Sequence, residues 1–241
     1  MRLELRTPKM ILFDYGHTLL CEPGFDFSRG NRALFPYIVK NPGHVTPEAF
    51  DGFSKEIFDQ VVIPARAQGC EFHNRQYLHL VLEYLGVELS VSLEEAERIQ
   101  WDAISQGAGM PHIEELLALL REQGIRSGVI SNLLWSGRAL TERIDRLLPD
   151  NRFEFVLASS EYMVRKPSRY LFDLALKKAG LRPEEVWFCG DNVEADVLGA
   201  HGAGIFPVWY CPEENGTAEP EVPHLKIRDW RELADILRIH R

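Results

Sequence analysis

Polar side chains that could take part in a reaction stand at four places in the chain, and three of these places directly follow short apolar runs. The runs lead into Asp14, into Ser131 with Asn132, and towards Asp191, while Lys166 lies between the last two. Carboxylate, hydroxyl and ammonium groups are side chains that can bind a ligand or take part in a reaction. Taken singly, each residue could equally open a turn or cap a helix. Whether these residues have a structural or a chemical role must therefore be judged from their order and from the elements around them.

Apolar runs of strand length alternate with amphipathic helical stretches in the outer parts of the chain. The runs cover residues 10–13, 125–130, 153–158, 186–189 and 205–210. Helices are predicted over 112–123 and over 167–178, with Pro167 in the first turn of the second one. An exposed loop is predicted over 212–223, followed by a closing helix near Asp229. This alternation is typical of an α/β fold with a parallel sheet, in which ligands bind beyond the carboxyl ends of the strands.

The part of the chain between residues 24 and 105 breaks this alternation. Its apolar spacing predicts helices over 49–67, 72–84 and 93–104, and no strand. We therefore predict an α-helical domain over residues 21–105, inserted after the first strand of a core formed by 1–20 and 106–241. Pro and Gly in both connecting segments, 21–25 and 106–111, favour this division.

The composition excludes several classes of protein. A formal net charge of −9 and a pI of about 5.4 argue against a surface that binds nucleic acid. No apolar run approaches the length of a membrane span, and the first ten residues lack the apolar core of a signal peptide. The four cysteines are isolated, so neither a zinc site nor a disulfide framework is expected. We expect a cytoplasmic monomer or homodimer with reduced thiols.

Four segments, taken in order, resemble the motifs of the haloacid dehalogenase superfamily of hydrolases, most of which are phosphatases. The segments are MILFDYGHTLL, GVISN, VRKPSRYLFDLAL and VWFCGDNVEADVLGA. The resemblance covers roughly residues 8–20 and 110–211, and the helical insertion stands where this superfamily has its type 1 cap domain. It implies a Rossmann-like core carrying a cap.

The resemblance also implies roles for the polar residues. Asp14 corresponds to the nucleophile that attacks phosphorus and forms an aspartyl-phosphate. Asp14, Asp191 and the backbone carbonyl of Gly16 correspond to the ligands of Mg²⁺, which lies between the nucleophile and the negatively charged phosphate. Asp196 corresponds to a supporting carboxylate that orients the metal's waters or Lys166.

Phosphate binding is implied for three further groups. Ser131 and the amide of Asn132 correspond to groups that bind the phosphoryl oxygens, and Lys166 adds a positive charge beside them. The predicted activity is therefore Mg²⁺-dependent hydrolysis of a small phosphorylated metabolite, a phosphoric monoester.

Two neighbouring residues depart from the superfamily pattern. Gly16 occupies the position of a second Asp that usually serves as general acid and base, a role typically worth about 10²–10⁴ in rate. His17 follows where the superfamily usually has Gly, and it could bind substrate or take over proton transfer. It could equally be only a polar loop residue. The motifs thus support transfer of the phosphate to Asp14 better than its later release by hydrolysis.

Three outcomes remain open at this stage. The chain is a slow or specialised phosphatase, a hydrolase of C–P or C–halogen bonds, or a catalytically weak phosphate-binding or interaction protein. C–P cleavage requires a lysine in the cap, where Lys40 and Lys55 are the candidates. C–halogen cleavage works without a metal and would have little use for Asp191 and Asp196. The phosphatase is favoured over both alternatives.

Substrate choice is expected to lie in the helical insertion. The stretch 70–80 mixes charge with aromatic surface through Glu71, His73, Arg75 and Tyr77. Trp135, just after the strand that ends at Ser131, could line the substrate pocket or fill the core.

Overall fold

The computed structural model describes residues 6–213 and 218–239. Ten β-strands are assigned among these residues: β1 (Met10–Phe13), β2 (Leu20–Cys21), β3 (Ile38–Lys40), β4 (Glu88–Leu89), β5 (Ala108–Gly109), β6 (Arg126–Ser131), β7 (Phe153–Ala158), β8 (Val186–Gly190), β9 (Phe206–Tyr210) and β10 (Leu225–Ile227).

Ten α-helices accompany the strands: α1 (Phe27–Ala33), α2 (Pro47–Ile57), α3 (Ile63–Ala67), α4 (Asn74–Leu85), α5 (Leu93–Ile104), α6 (Ile113–Gln123), α7 (Gly137–Leu147), α8 (Arg169–Ala179), α9 (Gly199–Gly202) and α10 (Trp230–Ile239). Wider π-type turns join α2 to α3 at Phe58–Val62 and precede α9 at Val193–Leu198. None of the helices within the described ranges is long and apolar enough to span a membrane.

Six strands form one parallel sheet in the order β10-β9-β8-β1-β6-β7. The five predicted runs are all strands of this sheet, which confirms the α/β fold class. The sixth strand, β10, was not predicted, because its three residues form no apolar run. Part of the loop predicted over 212–223 lies outside the described residues, since the structure describes nothing over 214–217.

Helices cover both faces of the sheet, which gives the three-layer arrangement of a Rossmann-like core. Within β1, Ile11 and Phe13 pack towards one helical layer, which includes α6, α7 and α10. Met10 and Leu12 pack towards the other layer, which includes α8 and α9. All four side chains are fully buried, as expected for the central strand of a covered parallel sheet.

The segment over residues 21–105 has an apolar cluster of its own, centred on Phe50, Leu78 and Val81. The two connections to the sheet run side by side, because β2 pairs antiparallel with β5. The prediction of no strand in this part was wrong, since β3 pairs antiparallel with β4. These strands have three and two residues, too few for a periodic pattern, and their pairing joins residues about fifty positions apart in the chain.

The predicted helices are all present, most with ends shifted by one or two residues, and one of these shifts changes the place of a site residue. The helix predicted to start with Pro167 begins at Arg169 instead. Pro167 lies in a turn that contains a cis peptide bond after Lys166 and is closed by the Ser168 amide, which donates to the carbonyl of Arg165 over 2.9 Å. Lys166 therefore projects from a turn before α8 and not from the helix. All four cysteines are free, with two buried, Cys21 half-buried and Cys70 exposed.

Candidate active site

The carboxyl end of the central strand presents Asp14. The residue before it, Phe13, pairs with Val129 of β6 and Cys189 of β8. The chain leaves these two neighbouring strands through Ser131 and towards Asp191. The apolar run of β1 must be buried on both faces, and this fixes the place at which the acidic side chain emerges. The predicted residues therefore gather at one edge of the sheet.

Lys166 lies between two carboxylates at this edge. Its Nζ atom is 2.6 Å from Oδ1 of Asp14 and 2.6 Å from Oδ1 of Asp196. It also lies 4.8 Å from the centre of the Phe188 ring. Burial favours the neutral amine, but the two carboxylates outweigh it, and the pKa of Lys166 is raised. The ammonium form is therefore held beside the candidate nucleophile.

Asp196 is tied at both oxygens. Oδ1 accepts from Lys166, and Oδ2 accepts from the backbone amide of Asn192 over 3.0 Å. The approach of this carboxylate to β8 requires Gly190, because a Cβ atom there would overlap the Asp196 carboxylate. Asp196 is fully committed to these partners, which fits a supporting position better than direct binding of a ligand.

Asp191 is the less constrained acid of the cluster. Its Oδ1 accepts a long hydrogen bond, 3.4 Å, from the hydroxyl of Thr18, and its backbone carbonyl accepts from the indole of Trp209. Burial, and after it the negative charge of Asp14, raises the pKa of Asp191 to about 6. One oxygen from each of Asp14, Asp191 and Asp196 lies within 4.8 Å of the others. Carboxylates held this close could share a cation.

Asn132 holds the main chain of Lys166. Its side-chain amide donates to the Lys166 carbonyl, and its side-chain oxygen accepts from the Lys166 amide, both over 2.8 Å. The side chain of Asn132 is thus occupied in positioning the lysine, and only its backbone amide is left for the predicted contact with phosphoryl oxygens. Ser131 lies next to it at the end of β6, with 3% exposure.

The two unusual residues after the nucleophile face open space. A Cβ atom on Gly16 would meet no heavy atom within 4 Å. His17 is exposed and has a φ of +54°, the left-handed region that favours glycine, and its amide donates to the Leu20 carbonyl over 2.8 Å. The structure brings no hydrogen-bond partner to the His17 ring among the described residues.

A cavity of about 630 Å³ opens between residues 21–105 and the loop after β6. Asn132 both lines it and holds the main chain of Lys166, which connects the cavity to the strand ends, although Asp14, Lys166 and Asp191 are not among its lining residues. Its walls come from the loop residues 132–135 and from residues of the 21–105 segment, namely Phe25, Phe27, Ser28, Asn31, Asp51, Gly52, Ser54, Lys55, Phe58, Asp59, Arg66 and Tyr77.

Only Tyr77 of the suggested stretch 70–80 lines this cavity. Glu71 is buried and pairs with Arg66 and Arg165, while the ring of His73 caps the start of α4. Trp135 combines the two roles that were left open. It lines the cavity and also stacks on Trp101 in the core, with ring centres 4.9 Å apart. These outcomes follow from tertiary contacts that a local pattern does not contain.

Sequence reasoning missed Arg143, which is buried between the two connections to the helical residues. Its guanidinium donates to Tyr15 next to the nucleophile, to Glu22 on the outgoing connection, and to Asp102 and the Ser105 carbonyl on the return. The nearest of these partners is 38 positions away in the chain. A charged residue within an amphipathic helix gave no signal for this contact.

Sequence comparison supports the resemblance of the motifs. A family profile described as haloacid dehalogenase-like hydrolase matches residues 71–209. A glyceraldehyde 3-phosphate phosphatase from Methanopyrus kandleri is 33% identical over 134 residues, which are 53% of this chain and 56% of that protein. The chain thus spans little more than half of that relative. A protein of the same name from Pyrococcus furiosus is 27% identical over 243 residues, covering 98% of this chain and 94% of that protein.

Solved structures agree on the fold. A 2-haloacid dehalogenase from Pseudomonas syringae pv. Tomato superimposes with a TM-score of 0.63 at 20% identity, covering 98% of this chain and all of that chain. At this identity the likeness concerns the fold alone. The matched profile covers more than half of the 241 residues and includes Lys166 and Asp191. With motifs, fold and profile in agreement, this chain belongs to the haloacid dehalogenase-like hydrolases.

Proposed function

We propose that the protein is a phosphoric monoester hydrolase for small phosphorylated metabolites, that Asp14 is its nucleophile, and that it depends on Mg²⁺. The observation that carries this proposal is the contact of 2.6 Å between Asp14 and the buried ammonium of Lys166, beside a second acid, Asp191. The two relatives from Methanopyrus kandleri and Pyrococcus furiosus, both phosphatases by name, support the same reaction class.

The residues present fit a hard cation with oxygen ligands. Asp14 and Asp191 offer carboxylate oxygens close to each other, and the backbone carbonyl of Gly16 follows two residues after the nucleophile. Asp196 would stand behind them, since both of its oxygens already accept hydrogen bonds. When bound, Mg²⁺ would offset the repulsion between the attacking carboxylate and the negatively charged phosphate.

Each remaining residue has a distinct task in the proposed reaction. Asp14 attacks phosphorus, the bond to the leaving alcohol breaks, and the phosphoryl group stays on the carboxylate until water releases it. Lys166 balances the charge that develops on the phosphoryl oxygens, and Ser131 with the backbone amide of Asn132 binds those oxygens. We further propose that residues 21–105 act as a cap over this edge, which excludes water and sets specificity.

The release step lacks the usual acid and base, because position 16 is a glycine. We propose that turnover is therefore slow for alcohols that leave poorly, and faster where the leaving group needs no proton. His17 is the nearest alternative in the chain, and its exposed ring is free to approach a bound substrate. A metal-free reaction at carbon is less favoured. Lys166 pairs with Asp14 and Asp196, so without a metal Asp191 would lie beside these acids with no cation of its own among the described residues.

C–P bond cleavage through a lysine imine also finds little support. Lys40 is exposed and pairs with Glu88, away from the cavity. Lys55 does line the cavity, but its side chain is 75% exposed and pairs with Asp59. An exposed, ion-paired ammonium is a poor nucleophile, because it must first lose a proton that its partner stabilises.

The decisive experiment is release of phosphate from an aryl phosphate and from a panel of phosphorylated metabolites, with and without Mg²⁺. Asp14→Asn is the matched control, because it keeps the shape of the side chain and removes the nucleophile. We expect Mg²⁺-dependent release by the wild type and at least a roughly 10³-fold lower kcat for the variant. Release that is equal in the two proteins would rule out the proposed function.

Metal binding is tested separately from turnover. Calorimetric titration of Mg²⁺ should give saturable binding to the wild type, weakened by Asp191→Asn. Asp150→Asn, at an exposed acid in the turn before β7, serves as the control that removes the same charge. Equal binding by the wild type and Asp191→Asn would remove Asp191 from the proposed metal site.

A further inference from the structure

The size of the cavity points to a leaving group larger than a three-carbon alcohol. Pockets for small organic ligands commonly measure about 300–1,000 Å³. The volume of about 630 Å³ lies within that range, and it extends from Asn132, beside Lys166, to Lys55 and Asp59 on the helical side. Because the backbone amide of Asn132 is also a proposed phosphate contact, the rest of a substrate held there would extend into this space.

Aromatic rings form a continuous part of the cavity wall. Phe27 lies with its ring centre 6.2 Å from Trp135, at an interplanar angle of 19°, and 6.1 Å from Phe58. Phe58 in turn meets Tyr77 edge to face at 6.4 Å, and Phe25 lies 6.0 Å from Phe27. Such a wall favours flat rings, which stack on aromatic faces and bury apolar area at little entropic cost.

The charged side chains that line the cavity already have ion-pair or hydrogen-bond partners. Lys55 pairs with Asp59, and Asp51 accepts from the side chain of Asn31. Arg66 donates to the buried Glu71 over 2.8 Å and lies over the ring of Phe58. A second phosphate or a carboxylate on the substrate would have to displace one of these carboxylates. The cavity therefore favours a leaving group without charge.

One buried hydroxyl in the wall lacks a partner. Ser54 is 2% exposed, and its Oγ atom makes no hydrogen bond to any of the residues that the structure describes. Its backbone carbonyl is occupied by the hydroxyl of Tyr77 over 2.7 Å. Buried hydroxyl groups are usually satisfied, so this one indicates a ligand that brings a polar atom to it. A ring with a hydrogen-bonding edge meets that requirement and also the aromatic wall.

We propose that this cavity binds the leaving group of the substrate and selects an uncharged heteroaromatic ring, as in a nucleoside monophosphate. Phe27, Phe58 and Trp135 provide the stacking surface, and Ser54 provides a hydrogen bond to the ring edge. The inference rests on the proposed phosphatase function, which supplies the phosphate end of the substrate.

A panel of four phosphate esters tests the selection: uridine 5′-monophosphate, phenyl phosphate, glycerol 3-phosphate and fructose 1,6-bisphosphate. We expect kcat/KM for the nucleotide to exceed the values for glycerol 3-phosphate and for the bisphosphate by about tenfold or more, the scale of base stacking. A wild type that prefers glycerol 3-phosphate or the bisphosphate overturns the inference while leaving the phosphatase proposal intact.

Variants of the wall identify the residues that select the ring. Phe58→Leu keeps an apolar side chain but removes the flat face, and it should lower the preference for the nucleotide over glycerol 3-phosphate about tenfold. Phe58→Tyr, which keeps an aromatic ring, should retain that preference.

The hydroxyl of Ser54 is tested separately. Ser54→Ala should lower the preference for the nucleotide over phenyl phosphate about fivefold. Tyr84→Ala is the control, since Tyr84 is an exposed aromatic residue of α4 outside the cavity. Unchanged ratios in the Phe58→Leu and Ser54→Ala proteins would contradict the assignment.

Binding of uridine, which carries no phosphate, separates this inference from the reaction. Calorimetry on the wild type should detect saturable binding that Phe58→Leu weakens. If no ester releases phosphate but uridine binds in this way, the proposed function fails and the cavity assignment stands. If uridine does not bind and the nucleotide is not preferred, the cavity assignment fails.

Discussion

Two lysines of this protein pair with carboxylates in very different surroundings. Lys166 belongs to the strand-end site, which is formed with Asp14, Asp191 and Asp196, and Lys55 belongs to the cavity wall. The side chain of Lys166 is 1% exposed, and its partners Asp14 and Asp196 lie 152 and 30 positions away in the chain. The side chain of Lys55 is 75% exposed, and its partner Asp59 lies one helical turn further along. The first pair depends on the whole fold, whereas the second needs only a helix.

This difference separates chemistry from selection. Burial strengthens the interaction between the charges at the strand ends and makes an unpaired charge there cost free energy of folding. The sheet must therefore hold these charges in fixed positions. In the cavity, charges are paired locally and aromatic rings form the surface. Replacement of wall residues should therefore change which substrate reacts, while replacement at the strand ends should change whether any substrate reacts.

Removal of the buried lysine should have the largest effect. Lys166→Met keeps most of the length of the side chain and leaves Asp14 and Asp196 without their shared cation. We expect kcat to fall by about 10³-fold, since a charge that stabilises the transition state is lost. The free energy of unfolding should also fall by about 3–5 kcal/mol, because two buried carboxylates lose their partner. Phosphate-release kinetics and denaturant unfolding measure the two effects.

Lys178→Met is the control for this change, because Lys178 is an exposed lysine in the last turn of α8. It should leave both quantities close to the wild-type values. A Lys166→Met protein with kcat within tenfold of the wild type would contradict the idea that the strand-end charges carry the reaction.

Gain of the missing acid should be the next largest effect. Gly16→Asp places a carboxylate where a Cβ atom meets no neighbour, so the change is sterically permitted. We expect kcat to rise by about 10²-fold for alkyl phosphates, whose leaving group needs a proton, and much less for aryl phosphates. Gly16→Asn has nearly the same shape without the acid and should give no gain. An equal gain for both variants would indicate a change of shape and not proton transfer.

Displacement of the supporting carboxylate should have a smaller effect. Gly190→Ala places a Cβ atom against Asp196 and must move that side chain, and with it the partner of Lys166. We expect kcat to fall by about tenfold from misplacement of the lysine, and stability to fall by about 1–3 kcal/mol from overpacking. Kinetics and thermal unfolding of the purified protein report both quantities.

Gly202→Ala provides the matched comparison. Its Cβ atom would meet nothing within 4 Å, and the residue lies in α9. Alanine in a helix should leave kcat unchanged and stabilise the protein by up to about 1 kcal/mol. Similar losses in both variants would mean that the close approach of Asp196 to Gly190 is not what matters.

The sequence predicts those elements whose residues are buried in a uniform or periodic pattern. The central strand β1 is apolar at all four positions because helices cover both of its faces, and this pattern also predicts where Asp14 emerges. The strands β3, β4 and β10 are short and partly exposed, so their residues satisfy no periodic pattern. β3 pairs with β4, and β10 pairs with β9, and this backbone pairing leaves no local pattern in such short segments.

The candidate site divides in the same way. Motif order predicts that Asp14, Lys166 and Asp191 come together, since each stands at the end of a predicted element. The role of Arg143 cannot be predicted from the sequence, because it consists of contacts with residues on both connections to the helical segment. The cavity wall is equally hidden, as it combines aromatic residues from separate helices with the loop after β6.

The exposed pair in the cavity wall should respond least. Lys55→Met removes the partner of Asp59 from the surface of α2, and an ion pair between neighbouring helical turns typically contributes about 0.3–0.5 kcal/mol. We expect the free energy of unfolding, measured with denaturant, to change by no more than this amount. The change should vanish at high salt because exposed charges are screened. A loss comparable to that of Lys166→Met would mean that Lys55 is held by the tertiary structure. The contrast between a fixed reaction site and a locally paired cavity wall would then no longer hold.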